Sequence, residues 1–285
     1  MLIDMLSKAV QISILIFVVS SMLAMGSALT VAQIIDPLRN VRLIVLTLLA
    51  NFVLMPLVAV ALVKILRIDA QLGDGLLLLG CAAGAPFLPK LAQFAKGNVA
   101  FAVGVMVLLM VITVGYLPVV LPLLLPGVSI DPLKIAQSLV LSMLLPLAAG
   151  LALKAYYGEL AARVKPALDW ISSASFIIML VLITVANIGK IIEVFGTRAI
   201  LAGLLFLALG FGIGWLFGGP GDDTRGVLGL ATAQRNVSAA LLVGSEMFSN
   251  PKVVVMVLVV AIVGNLTLVP LSRALANRQS TVAQS

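Results

Sequence analysis

The sequence predicts an all-α membrane protein with about nine transmembrane helices. Of its 285 residues, 62% are hydrophobic and 10% are charged, whereas a soluble domain carries about 25% charged residues. A water-soluble fold of this composition would lack polar side chains for its surface, while lipid-facing positions favour Leu, Val, Ile and Ala. We therefore expect one transmembrane domain over residues 1–285, embedded in a lipid bilayer.

Charges, prolines and glycines bound a series of apolar segments. The first could be a signal peptide, because Lys8 precedes the apolar run 12–24, but that run continues to about Ile35, which favours a membrane helix. The loop 156–169 is the most polar, and the tail 277–285 is expected to be disordered. The predicted segments are 10–34, 41–66, 72–95, 98–125, 132–155, 170–190, 197–218, 224–247 and 252–276.

Lys and Arg residues set the expected orientation. Seven lie in loops on the side of the N-terminus and nine on the other side, and cytoplasmic loops carry the excess of Lys and Arg. The count favours an inner-membrane protein with the N-terminus outside and the C-terminus in the cytoplasm. We expect a monomer or a weak homo-oligomer.

Composition also excludes several classes of function. The net charge of +7 is spread singly or in pairs between apolar runs, which is typical of loops facing lipid headgroups and not of a nucleic-acid surface. The chain has no His and one Cys, Cys81, so an internal disulfide, a zinc site or a Cys–His nucleophile is excluded. An enzyme is therefore disfavoured, no cofactor is expected, and the lack of an ATP-binding loop argues against a primary pump.

Lys90 and Arg235 are the two cations that lie inside apolar segments, the third and the eighth. A charge at membrane depth costs at least about 2.5–3.5 kcal/mol and therefore usually faces a cavity on a transport pathway. The alternative is that each side chain reaches the membrane interface, and this alternative stays open above all for Lys90, which lies close to Lys96.

The same two segments carry signals of an interrupted helix. In the third, Pro86 and Pro89 follow a glycine-rich stretch, and each proline removes a backbone donor and clashes with the preceding turn. In the eighth, a polar cluster over 231–238 interrupts the apolar run. Paired interrupted segments in two inverted halves point to the binding site of a transporter. We predict that the substrate site contains Lys90, Arg235, Asn236, Gln234, Pro86 and Pro89.

Four blocks of residues follow one another along the chain: Met25 to Thr30 followed by Asp36, Asn51 to Pro56, Ala95 to Ala100, and Ala233 to Asn236 followed by Ser238 to Leu241. Together they resemble the bile acid:sodium symporter family, and the match runs over about residues 15–275. The resemblance implies two inverted repeats, a core domain (41–126 and 197–276), a panel domain (10–35 and 132–190) and two discontinuous helices that cross in the core.

The sodium sites that the resemblance implies are depleted in this chain. Among the implied ion-site positions, Asn51, Gln234 and Thr232 keep a side-chain oxygen. Sodium needs several hard oxygen ligands, as calcium and magnesium do, so sodium as a bound ion is doubtful. The implied ligand positions without a side-chain oxygen are Leu88, Pro89, Ala102, Met106 and Leu230.

The resulting hypothesis is a secondary transporter of a small carboxylate, sodium-independent, with Lys90 and Arg235 in place of sodium. Arg235 would act as a structural cation or a carboxylate clamp, and Lys90 could release a proton if desolvated. A sodium-coupled symporter of organic anions of the bile-acid type is the alternative. An ion channel is more remote, because the polar groups gather at two breaks and do not line a continuous helix face.

Overall fold

The computed structural model of the chain describes residues 2–125, 131–195 and 197–282. All regular secondary structure in these residues is helical, as the composition predicts. The α-helices are α1 (Leu2–Ala28), α2 (Val31–Ile35), α3 (Val41–Leu49), α4 (Met55–Ile65), α5 (Ala70–Cys81), α6 (Leu88–Phe94), α7 (Val99–Leu124), α8 (Pro132–Leu139), α9 (Leu145–Tyr156), α10 (Gly158–Phe195), α11 (Ala199–Phe217), α12 (Asp222–Ala233), α13 (Val237–Met247) and α14 (Lys252–Val282).

Six stretches of the described chain are long and apolar enough to cross a membrane. Two of them join a pair of helices through a π-helical turn, Ala50–Leu54 between α3 and α4 and Val140–Leu144 between α8 and α9. The six stretches are Lys8–Ala28, Val41–Ile65, Val99–Leu124, Pro132–Tyr156, Ala199–Phe217 and Lys252–Asn277.

The end of the chain corrects one expectation. Helix α14 continues to Val282, so residues 277–282 are helical and do not form the expected disordered tail. No glycine or proline follows Pro270 in this helix, and nothing in the sequence therefore stops it. Residues 283–285 and residue 126, the end of the first predicted core range, lie outside the described residues.

The third and eighth predicted segments are each interrupted. Helix α5 ends at Cys81 and α6 begins only at Leu88, which places Pro86 in the interruption and Pro89 in the first turn of α6, where a helix tolerates proline. Helix α12 ends at Ala233 and α13 begins at Val237. We call residues 82–87 the first break and residues 234–236 the second break.

The helices around the two breaks pack in two groups. Helix α1 packs against α9 and α10, and the contact is so close that a Cβ on Gly150 would lie 2.8 Å from the backbone nitrogen of Ser27. Helix α5 packs against α4 and α14, while α11 packs against α12 and α14. The breaks belong to the second group and face α1 and α10 of the first across a cleft.

Candidate substrate and ion site

Arg235 is the most deeply embedded charge among the described residues. Arg235 lies in the second break and is 3% exposed. Its Nε donates to Leu79 O at 2.9 Å, one terminal nitrogen donates to Asn51 Oδ1 at 2.8 Å and Thr232 O at 3.4 Å, and the other donates to Gly80 O at 2.7 Å and Asn51 O at 3.4 Å. A guanidinium has five N–H groups, so these five bonds use all of its donors.

Three of the five oxygens around Arg235 lie where two helices end. Leu79 and Gly80 belong to the last turn of α5, and Thr232 belongs to the last turn of α12. The last carbonyls of a helix have no intrahelical partner, and the helix dipole makes this end partly negative. A cation placed between two helix C-termini therefore satisfies orphan acceptors and gains from both dipoles, which offsets the cost of burying its charge.

Asn51 extends this network into the π-helical turn between α3 and α4. It is fully buried, and its amide nitrogen donates to Thr47 O at 3.0 Å and to Thr232 Oγ1 at 3.3 Å. Its amide oxygen accepts a hydrogen bond from Arg235. Three chain segments far apart in sequence, at residues 51, 79–80 and 232–235, are thus tied to one guanidinium.

Hydrogen bonds to a side chain of α7 and to the backbone of the second break stabilise the first break. The hydroxyl of Thr113 accepts from Ala83 N at 3.0 Å and donates to Ala83 O at 3.1 Å, which satisfies both backbone groups of that residue. Asn236 N donates to Ala82 O at 2.9 Å, a carbonyl whose usual helical partner would be the missing N–H of Pro86. The two breaks therefore contact each other directly.

Glycine is required at one position of the first break. Gly84 has φ +81°, and a Cβ there would lie 2.7 Å from Met106 O and closer still to Met110 N. Both the backbone conformation and the close approach to α7 exclude a side chain. The stretch from Gly80 to Gly84, which predicted an interrupted helix, thus contains the point where the unwound chain lies against α7.

A cleft of about 490 Å³ lies between the two breaks and α1, α10 and α14. This volume lies in the range of about 300–1,000 Å³ that is common for small-molecule sites. A larger groove of about 570 Å³ between α11 and α14 is lined only by apolar residues, as expected of a surface that faces lipid. The residues lining the cleft are Phe17, Ser21, Ala85, Pro86, Phe87, Ser172, Ser173, Phe176, Ile177, Gln234, Arg235, Val237, Ser238, Ala261 and Asn265.

The structure places three of the six predicted substrate-site residues along the cleft. Pro86, Gln234 and Arg235 line the cleft. Asn236 is buried directly behind it, where its amide oxygen accepts from Ala239 N at 3.0 Å and caps α13. Pro89 lies in the first turn of α6 and does not line the cleft.

Lys90 is placed differently from the expectation of a buried cation. The buried residues of α6 are Leu88, Leu91 and Ala92, which form one helix face, and Lys90 falls on another. Its side chain is exposed, its ammonium lies 3.4 Å from Gln93 Oε1, and it stacks over the Phe94 ring at 5.3 Å. The short helix therefore turns Lys90 away from the cleft.

Sequence reasoning missed the contribution of α1 and α10. Ser21, Ser172 and Ser173 give the cleft hydroxyl groups, and the Phe17 and Phe176 rings meet with centroids 5.2 Å apart. Adjacent serines in otherwise apolar helices were the available signal. Serine hydroxyls also bond back to their own helix, as Ser173 does to Asp169 O at 2.8 Å, so the signal by itself does not identify a site.

Comparison with protein families assigns the fold to a known group. A model of the sodium bile acid symporter family matches residues 14–194. The chain belongs to the sodium bile acid symporter family. This family consists of membrane transporters, so the chain is a multi-pass membrane protein of a transporter family, as its resemblance to that family predicts.

Curated relatives from a bacterium and from plants agree with this assignment. The chain is 27% identical over 213 residues to an uncharacterized sodium-dependent transporter of Bacillus subtilis, covering 72% of this chain and 63% of the relative. It is 28% identical over 239 residues to a probable chloroplastic sodium/metabolite cotransporter of Arabidopsis thaliana, covering 81% and 58%. A further probable chloroplastic sodium/metabolite cotransporter, from Oryza sativa subsp. japonica, is 26% identical over 245 residues, covering 82% and 57%. The chain thus spans about three fifths of the length of these relatives.

Proposed function

We propose that this symporter-family protein is a secondary transporter that carries a small organic anion, a carboxylate, by alternating access and without sodium. The observation that carries the proposal is the buried Arg235 guanidinium, bonded to five oxygens between the C-terminal ends of α5 and α12. In transporters with broken helices, half-helix C-terminal ends and unwound carbonyls coordinate the coupling ion. Here a side chain that cannot release its charge takes that role.

The positions implied as sodium ligands support this reading. Four of them, Leu88, Ala102, Met106 and Leu230, are buried and offer no side-chain oxygen. The oxygen of Asn51 and the carbonyl of Thr232 are already bonded to Arg235. A sodium ion would therefore compete with a permanent cation for the few oxygens that remain.

Electrostatics favours an anionic substrate in the cleft. Arg235 lines the cleft with a positive charge, and α13 directs its N-terminal end, partly positive by its dipole, toward the same space through Val237 and Ser238. No carboxylate is among the described residues that line it. Since every Arg235 N–H is already bonded, the guanidinium acts as a structural cation, and we assign the hydrogen bonds to substrate to the serines and amides. Lys90 lies outside the cleft, and we assign it no part in the positive charge of the site.

We infer nine membrane spans from the same elements. The interrupted pairs α5–α6 and α12–α13 supply two, because a helix of 12 residues is about 18 Å long and cannot alone cross about 30 Å of hydrocarbon. Helix α10 supplies the third beyond the six long apolar stretches. In this arrangement α1, α8–α9 and α10 form the panel, the other long helices form the core as two inverted repeats with crossing breaks, and the C-terminus lies in the cytoplasm.

Alternating access requires a seal on one side of the cleft at a time. Gln11 of α1 donates through Nε2 to Ser245 O of α13 at 3.4 Å. Gln11 precedes Phe17 of the cleft by six residues, or about 1.7 helical turns. We assign this contact to the closed side. Its loss on opening, with α1 and α10 moving against the breaks, is the motion that the proposal requires.

Uptake by purified protein in proteoliposomes tests the proposal. Saturable uptake and counterflow of labelled butyrate or 3-hydroxybutyrate, equal within about twofold in sodium chloride and choline chloride, is the expected result. Lack of saturable counterflow would refute a carrier, and strict dependence on sodium would refute the sodium-free mechanism. The second outcome would favour sodium-coupled symport, the second candidate, which is supported by the descriptions of one relative as a sodium-dependent transporter and of another as a probable sodium/metabolite cotransporter.

A further inference from the structure

The apolar groove between α11 and α14 is shaped by small residues that lie between large ones. Its volume is about 570 Å³, and Gly212 of α11 and Ala274 of α14 are its smallest lining residues. A Cβ added to Gly212 would meet no atom within 4 Å. Larger side chains, with Trp215 and Leu271 among them, form the walls. The small residues therefore leave an open slot between these walls.

The groove lies near the C-terminal ends of the apolar parts of both helices. It spans residues 211–216 of α11, which ends at Phe217, and residues 271–275 of α14. At 1.5 Å per residue each stretch is about 6–8 Å long, which is roughly half of the hydrocarbon thickness of one leaflet. Trp215 marks the boundary, since tryptophan is enriched at membrane–water interfaces. An occupant of the groove therefore lies next to the headgroups of the leaflet in which α11 ends.

A guanidinium lies at this end of the groove. Arg225 of α12 stacks over the Trp215 ring at 5.7 Å, and its Nε donates to Trp215 O at 3.5 Å. The next residue, Gly226, touches both walls, because a Cβ there would lie 3.6 Å from Leu275 and 3.9 Å from Trp215. The terminal nitrogens of Arg225 make no hydrogen bond to the part of the chain that the structure describes. They can therefore bind an anion at the level of the headgroups.

The carboxylates nearest to Arg225 in sequence do not neutralise it. Asp222 and Asp223 are exposed, and within the described residues neither forms an ion pair with Arg225. The Asp223 carboxylate turns back to the start of α12, where a Cβ on Gly221 would lie 2.6 Å from its Oδ1. The helix dipole favours a negative charge at that end. The charge of Arg225 is therefore left for a partner outside these residues.

We propose that the groove between α11 and α14 binds an anionic phospholipid, with one acyl chain between the groove walls and the phosphodiester at Arg225. The apolar walls favour a hydrocarbon chain, and a guanidinium binds two phosphate oxygens at once. A zwitterionic lipid carries a cation beside its phosphate and loses part of this attraction. The inference does not depend on the transported substrate or on the coupling ion.

Thermal unfolding of the purified protein in detergent tests the lipid site. Phosphatidylglycerol and phosphatidylcholine with identical acyl chains are added at equal saturating concentrations. Phosphatidylglycerol should bind about fivefold more tightly, because one arginine attracts its net negative charge, and should raise the Tm by about 2–4 °C more than phosphatidylcholine does. Glycerol phosphate, which has the phosphate but no acyl chain, should leave the Tm unchanged.

Two arginine variants locate the headgroup. Arg225→Gln should bring the Tm values in the two lipids to within about 1 °C of each other, whereas the control Arg273→Gln should keep the difference. Arg273 also stacks on an aromatic ring, that of Phe94 at 5.5 Å. It is two positions from both Leu271 and Leu275, and residues two apart lie about 200° around a helix. Arg273 is therefore on the face of α14 opposite to the groove.

Two glycine variants locate the acyl chain. Gly212→Leu fills the groove with a side chain and should abolish the stabilisation by phosphatidylglycerol. Gly115→Leu places the same side chain on α7, where a Cβ also meets open space, and should keep the stabilisation. If Arg225→Gln does not fold, Gly212→Leu decides by this measurement.

Four outcomes would overturn the proposal. Equal Tm values of the wild type in the two lipids would show that headgroup charge does not matter, and equal losses in Arg225→Gln and Arg273→Gln would show that Arg225 does not select it. Stabilisation by glycerol phosphate as large as that by phosphatidylglycerol would indicate a site for free phosphate. Conversion of a dimer into a monomer by Gly212→Leu, measured by light scattering, would make the groove an interface between two copies of the chain.

Discussion

Replacement of Arg235 by alanine tests the central claim that this guanidinium is a built-in cation of the fold. The change removes five hydrogen bonds, of which those to Gly80 O, Asn51 Oδ1 and Leu79 O are 2.7, 2.8 and 2.9 Å long. It leaves the carbonyls at the end of α5 and the amide oxygen of Asn51 buried around an empty space. The prediction is a large loss of stability that sodium partly restores.

The magnitude follows from the three short bonds. Each hydrogen bond to a charged group contributes about 1.5–3 kcal/mol net, and the relief of the guanidinium's desolvation offsets part of their sum. A net loss of about 3–5 kcal/mol remains, the range observed when one partner of a buried charged network is removed. At about 2–4 °C per kcal/mol, the Tm should fall by about 10 °C. Arg235→Lys keeps the charge with fewer donors and should lose less.

Sodium should distinguish the variant from the wild type. In Arg235→Ala, the buried oxygens that lose the guanidinium resemble a hard-cation site. Sodium at ten times its Kd would stabilise the variant by about 1.4 kcal/mol, or about 4 °C. The assay is thermal unfolding in detergent while sodium chloride replaces choline chloride at constant ionic strength. Arg163→Ala, an exposed arginine of α10, is the matched control. Equal sodium stabilisation of wild type and variant, or a variant that melts like the wild type, would refute the reasoning.

Three further predictions concern the breaks and the second cation. Gly84→Ala should cost about 3 kcal/mol, because φ at this residue is positive and α7 is in contact with it. The control Gly115→Ala, which has open space at its Cβ, should leave the Tm unchanged or raise it slightly. Equal Tm values for the two variants would contradict the packing of the first break. Thr113→Val should cost about 1–3 kcal/mol in thermal unfolding, because Ala83 N–H is left buried without a partner, and an unchanged Tm would mean that another group satisfies it. Lys90→Ala should change stability by no more than about 0.5 kcal/mol and leave uptake in proteoliposomes intact; loss of uptake would return Lys90 to the substrate site.

Local chemistry made several features predictable. Composition alone predicts helices in lipid, because the chain has too few charged residues to cover a soluble surface. Pro86 and Pro89 predict an interruption, because neither can take part in a regular helical ladder. A polar cluster around Arg235 in an apolar run predicts a site, since an unpaired charge would be too costly there.

Other features depend on groups that the sequence cannot distinguish. The acceptors of Arg235 include backbone carbonyls of Leu79 and Gly80, more than 150 positions away, and every residue carries such a carbonyl. The adjacent serines of α1 and α10 look like those of any apolar helix until the fold sets them opposite the breaks.

Lys90 and Arg235 separate what the sequence determines from what the tertiary structure decides. The sequence by itself determined that Lys90 and Arg235 occupy apolar segments beside helix breaks, because residue type and spacing are local properties. Only the tertiary structure decided that Arg235 is buried and fully bonded while Lys90 is exposed beside Phe94. The reason is geometric: burial of a single charge depends on which face of a short helix meets its neighbours, and on whether distant helix ends supply the oxygens that compensate for its lost hydration.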